Sequence, residues 1–94
     1  MSISNVRPGI ITKYIVGSAK RPAQIWAHAD GVSRFSKIDH RDPPVMQHFK
    51  AACLVCYERK EHGSLIPGRL GDDKMVWVWS DDAPTYYKVS QSLI

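Results

Sequence analysis

The spacing of hydrophobic and polar positions changes along this chain, and each change marks an element. Over residues 23–29 the two kinds alternate, with Ala23, Ile25, Ala27 and Ala29 on one side and Gln24, Trp26 and His28 on the other. A period of two sends successive side chains to opposite faces, so this stretch predicts a strand with one buried face. Residues 9–17 are rich in β-branched and aromatic side chains and predict an earlier strand, joined to the second by a turn over residues 18–22. Asp30 and Gly31 then suit the two positive-φ positions of a type I′ hairpin turn, which feeds a third strand over residues 32–38.

From residue 42 to residue 63 the period lengthens. His48, Ala51, Ala52, Val55 and Arg59 recur at steps of three and four, which places them on one side of a helix. Asp42 is expected to cap the first backbone N–H groups, with Pro43 at the first helical position. Gly63 is expected to end the helix in the left-handed conformation, with Arg59, Lys60 and His62 near the negative end of the dipole. The paired alanines imply a face lying close against a sheet. Residues 64–70 predict a strand interrupted by Pro67 and Gly68, and therefore an edge or bulged one. Residues 74–80 form the most strand-like run, with Val76 and Val78 facing one way and Met75, Trp77 and Trp79 the other. A short strand is expected within residues 85–89. The order implies an α+β domain: an antiparallel sheet of about five strands, βββαββ, with one helix on one face. Residues 1–8 read as a flexible lead-in, 9–80 as the domain and 81–94 as a partly ordered tail.

Composition narrows the class. With 94 residues there is room for one modest core, and a hydrophobic share of 44% with 23% charged residues fits a folded protein. No apolar run approaches the ~20 residues of a membrane span, and the start of the chain lacks a signal pattern. The expected setting is cytoplasmic, with two reduced thiols. The net charge is +4, while acids gather late, at Asp72, Asp73, Asp81 and Asp82. That asymmetry favours an acidic partner, either nucleic acid or an acidic protein surface.

Several short motifs carry a resemblance. They are Thr12-Lys13-Tyr14-Ile15, Ser18, Arg21 and Ile25-Trp26-Ala27, then His48 with Ala51 and Ala52, and finally the segment HGSLIPGRLGDDKMVWVW. On these the chain resembles a family of small proteins encoded by bacteriophages and plasmids of proteobacteria, over about residues 9–79. It departs from the family pattern at Gln24, where arginine is usual, at Pro22, where glycine is common, and at Trp26, where lysine is usual. The resemblance implies a mobile-element setting and a solvent-facing Trp26. It also implies action by binding a host protein, restriction or CRISPR machinery included, by association with other small proteins of such elements.

Catalytic and metal chemistry finds little support in the residues. Cys53-x-x-Cys56 invites a metal reading with His40, His48 or His62, yet the pair falls in mid-helix with no second pair at fitting spacing. The thiols read as small apolar residues, so neither metal nor other cofactor is expected. Asp39-His40-Arg41-Asp42 gathers an acid, a base and a cation without an activated nucleophile, and no catalytic residue is assigned; the chain reads as a non-enzyme.

Binding surfaces are better marked. Trp26, between Gln24 and His28 and following Lys20 and Arg21, makes a candidate hot spot for a partner. Met46, Phe49, Cys53, Cys56 and Tyr57 form an apolar stripe beside the alanine face. Either the tail (Tyr86, Tyr87, Val89) or a second copy would cover it, so homodimerisation by Met46, Phe49, Cys53 and Tyr57 is a candidate. The leading expectation is a protein-binding module of a phage or plasmid, an inhibitor of a host defence system of the anti-CRISPR or anti-restriction type. Its partner would be a host protein or ribonucleoprotein complex. The rival is a small basic RNA- or DNA-binding protein, holding single strands on sheet aromatics beside cations.

Overall fold

The computed structural model describes residues 7–80 and 87–89. Three strands come first, β1 (Ile10–Ile15), β2 (Gln24–Ala29) and β3 (Val32–Lys37), then the helix α1 (Pro44–Arg59). β4 (Gly63–Arg69), β5 (Lys74–Trp79) and the two-residue β6 (Lys88–Val89) follow. They form one antiparallel sheet in the order β3-β2-β1-β5-β4-β6, an α+β architecture with six strands where the sequence implied about five. The extra strand lies at the end of the expected segment 85–89; Thr85 and Tyr86 lie outside the described residues.

The hairpin from β2 to β3 turns at Asp30 (φ 47°) and Gly31 (φ 84°), the two left-handed positions that a type I′ turn requires. This turn sets the register Trp26↔Phe35 and Ala27↔Arg34. Ile25, Ala27 and Ala29 are buried, as the alternation demanded. Pro67 falls where β4 pairs only with β5, because β6 reaches no further along β4 than Gly63 and Ser64. Its missing N–H therefore breaks no ladder.

The helix ends differ from those expected, and for local reasons. The N-cap is Pro43, with Pro44 as the first helical residue and no side chain capping the free N–H groups. Asp42 is instead drawn into an ion pair with Lys50, and its carbonyl accepts a hydrogen bond from Gln47 Nε2 at 2.9 Å. At the other end the left-handed residue is Lys60 (φ 58°), whose N–H returns to Tyr57 O, while that of Glu61 returns to Cys56 O. Gly63 opens β4 with φ 139°, and a Cβ there would stand 3.1 Å from the Arg7 guanidinium and 3.2 Å from the Trp79 ring. Glycine at that point serves a close approach and not a helix stop.

α1 packs over β1, β2 and β3, where Ala51, Ala52 and Val55 are fully buried. The β5–β4 half of the same face is closed by the aromatic row. Trp77 is wholly buried, with its ring 5.5 Å from Phe49 and 5.2 Å from Tyr87. Val89 is buried beside Leu65 in the same cluster. Burying ~200 Å² of indole stabilises by on the order of 5 kcal/mol at ~25 cal/mol per Å². Met75, Trp77 and Trp79 thus face inward, and Val76 and Val78 face outward. Because the alanines set the helix-to-sheet distance, Ala51→Leu should lower stability by about 1–3 kcal/mol in urea denaturation, whereas Leu54→Ala on the exposed side should stay within about 0.5 kcal/mol.

Candidate functional site: the open face of the sheet

The second face of the sheet has no layer over it among the described residues. Strand register assigns it one row with Lys74 on β5, Lys13 on β1, Trp26 on β2 and Phe35 on β3. The neighbouring row toward the Asp30–Gly31 turn carries Val76, Ile11, His28 and Ser33. Beyond the first row, Ile15, Gln24 and Lys37 align. Phe35 is 54% exposed, and Ile66 and Val78 at the β4–β5 end are 41% and 46% exposed.

The charge on this face is of one sign. Lys13, Lys37 and Lys74 project from it, with Lys88 on β6 opposite Ser64, and none of the strand residues sharing the face is acidic. None of these lysines joins an ion pair among the described residues, so their charge is not cancelled locally. The carboxylates that do pair, Asp30, Asp39, Asp42, Glu58, Glu61 and Asp72, sit in turns and on the helix. The Trp26 indole is half-buried and lies parallel to the His28 imidazole, 5.4 Å between centroids and 10° between planes. Such an offset stack holds the indole in one orientation on the open side.

Of the residues expected to meet a partner, Gln24, Trp26 and His28 share this face. Lys20 and Arg21 are exposed, but at the hairpin tip where Ser18 bridges Arg21, some five residues or about 16 Å of extended chain from Trp26. Phe35 and Lys13, the cross-strand neighbours of Trp26, were not singled out from the sequence. The Asp30-Gly31 turn held the signal for Phe35, since a two-residue hairpin sets every opposite pair. No local signal existed for Lys13 beside Lys74, which depends on β1 meeting β5.

The helix stripe lies elsewhere. Phe49 and Cys53 are buried in the core, with Phe49 against Tyr87 at 5.4 Å, while Met46 and Tyr57 are half-buried at its margin. Burial pushes the Cys53 thiol up to about 11 and the Cys56 thiol up to about 12, so both are protonated at neutral pH and poor metal ligands or nucleophiles. Among the described residues no three His, Cys, Asp or Glu side chains gather as a metal site. In the 39–42 turn, Arg41 grips Asp39 through two side-chain hydrogen bonds of 3.0 and 2.9 Å and holds its carboxyl below the usual range. No helix among the described residues is long and apolar enough to cross a membrane.

Among the described residues His48 is the one buried titratable base. Its Nδ1 lies 2.7 Å from Thr12 Oγ1, and the same oxygen accepts the Trp77 Nε1–H at 3.1 Å. Burial holds its pKa below that of a free imidazole, with Asp73 acting weakly in the opposite sense. Compared with models of protein families, with curated proteins and with solved structures, the chain matches none.

A depressed imidazole pKa means the unfolded chain takes up a proton that the folded chain refuses. Stability should therefore be at its full value above the unfolded pKa near 6.5 and fall as pH drops toward the folded value, by at most ~1.4 kcal/mol per pH unit. Urea titrations at pH 7.5, 6.5 and 5.5 check this; in His48→Asn the slope over that range should shrink.

Proposed function

We propose that this chain is a small non-enzymatic module that binds single-stranded nucleic acid across the open face of its sheet. The observation that supports it most is the row Lys74–Lys13–Trp26–Phe35, in which two cations and two aromatic rings lie side by side on a face whose described strand residues include no carboxylate. A single strand offers unstacked bases and a repeating negative charge. Aromatic side chains take up the first by stacking, at about 1–3 kcal/mol per base, and lysines take up the second by neutralising phosphates. The helix and the Trp77 cluster hold the sheet rigid from behind, so little ordering is lost when a strand docks. The net charge of +4 supplies modest long-range attraction.

A second reading draws on the other end of the same face. Ile11, Ile66 and Val78 are each more than a third exposed and form an aliphatic patch around Val76, which suits a protein surface better than a base. On this reading the chain is a phage- or plasmid-encoded module, as the family resemblance implies, that occupies a host protein or a ribonucleoprotein of a defence system.

Fluorescence anisotropy with labelled 12-nucleotide RNA and DNA separates the two. If three phosphates are neutralised, affinity should fall about twenty-fold between 50 and 200 mM salt, from a slope of ~0.7 per phosphate. Trp26→Ala should weaken binding by at least about five-fold, the equivalent of ~1 kcal/mol of stacking. Absence of binding at low salt, or binding that Lys13→Glu and Trp26→Ala leave unchanged, overturns the nucleic-acid reading. Salt-insensitive capture of a host protein, lost in Ile66→Asp with Val78→Asp, would favour the second.

A further inference from the structure

Behind the sheet, on the helix side, lies a cleft of about 340 Å³ that the open face does not use. Its apolar walls include Ile25 and Ile38, and its polar groups include Tyr14, Gln47, His48 and Asp73. The volume lies at the small end of ligand pockets, ~300–1,000 Å³.

The base of this cleft has a defined hydrogen-bonding polarity. Thr12 is wholly buried, and its hydroxyl already accepts the Trp77 N–H, so its own proton needs an acceptor. Among the described residues the one within reach is His48 Nδ1 at 2.7 Å. With Nδ1 accepting, the proton of the neutral ring resides on Nε2. The His48 side chain lines the cleft and the residue is only 6% exposed, yet Nε2 has no partner among the described residues. The donor is not sealed in, and His48 lines both this cleft and a smaller neighbouring one bounded by Val45, Lys74 and Met75.

The mouth has the opposite character. Asp73 is exposed there, and its backbone carbonyl accepts the Tyr14 N–H at 2.8 Å, which anchors the residue to β1. The neighbouring Asp72 is shared with Arg69 at 3.4 Å, whereas Asp73 joins no ion pair among the described residues. Gln47 gives its amide N–H to Asp42 O, which leaves the amide oxygen as an acceptor. A ligand that satisfies both ends is flat and apolar in its body, offers an acceptor to the imidazole and carries a hydrogen-bond donor for the carboxylate. Asp73 disfavours an anion, with Asp72 shared with Arg69 and His40 also in the lining.

We propose that this cleft binds a small amino-substituted nitrogen heterocycle, with a ring nitrogen accepting from His48 Nε2–H and the amino group donating toward Asp73.

Adenine is the probe, with purine, which lacks the amino group, and benzoate, an anion, as controls. In ¹H–¹⁵N NMR titrations of the full chain, adenine should bind with a Kd of about 1 mM, as expected for ten heavy atoms, and shift the amides of Tyr14, His48 and Asp73. Asp73→Asn should weaken it about ten-fold, because a charge-assisted bond is replaced by a neutral one, and should leave the fold intact since the side chain is exposed. The His48 Nε2–H resonance should move on saturation, which reports on the imidazole without altering it. No shifts at millimolar adenine, purine binding as tightly as adenine, benzoate competing with it, or an unchanged Asp73→Asn would each overturn the assignment. Loss of oligonucleotide binding alone leaves it standing, since the two surfaces lie on opposite sides of the sheet.

Discussion

Everything in this domain is hung on one buried indole. Trp77 sits on β5 beside the central strand β1, and its N–H donates to Thr12 across the strand pair. Thr12 in turn meets His48 of the helix, while the indole ring packs on Phe49 of the helix and Tyr87 of the C-terminal segment. Three separate stretches of chain therefore converge on one side chain, by apolar burial on its faces and by a hydrogen-bond chain at its edge. A buried polar chain is worth having only when each member is satisfied. Here the indole donor, the threonine oxygen and the imidazole Nδ1 all are, and the histidine itself borders a cleft.

This arrangement gives the sheet two unlike sides. One helix cannot cover six strands, so α1 takes the β1–β3 half and the aromatic cluster with Val89 closes the β4–β5 half. Arg7 adds a small lid, with its guanidinium 3.8 Å from the Trp79 ring centre and bonded to His62 O at 2.9 Å. Nothing among the described residues remains to cover the opposite face. That face keeps Phe35, Ile66 and Val78 in solvent beside four lysines, an arrangement that contributes nothing to the core. The hydrophobic residues outside are thus a consequence of topology as much as of composition.

Parts of the candidate surface were legible in the residues alone. Trp26 stood out because it occupies the polar side of a cleanly alternating strand, and it does lie on the uncovered face. The helix stripe left two covers open, the C-terminal segment or a second copy, and Tyr87 of that segment does lie against Phe49. Trp77, which joins them there, comes from a strand that the periodicity of the helix could not connect to it. Capping was hard to read for a similar reason. Asp42 has the right chemistry for an N-cap, but Lys50, on α1, takes its carboxylate, and the chain enters the helix through two prolines.

What the sequence by itself determined is local and periodic: the β2–β3 hairpin through its Asp-Gly turn, the alternation of β2 and β5, the helix and its alanine face, and the positive balance of charge. These depend on backbone sterics and on neighbours a few residues away, so they are written in short windows. The tertiary structure decided the rest. Pairing of β1 with β5 brought Lys13 beside Lys74 and Thr12 beside Trp77, across gaps of some sixty residues. It also settled which side of β5 faces the helix, because a wide indole is buried more fully than a valine where the inner layer has room for it.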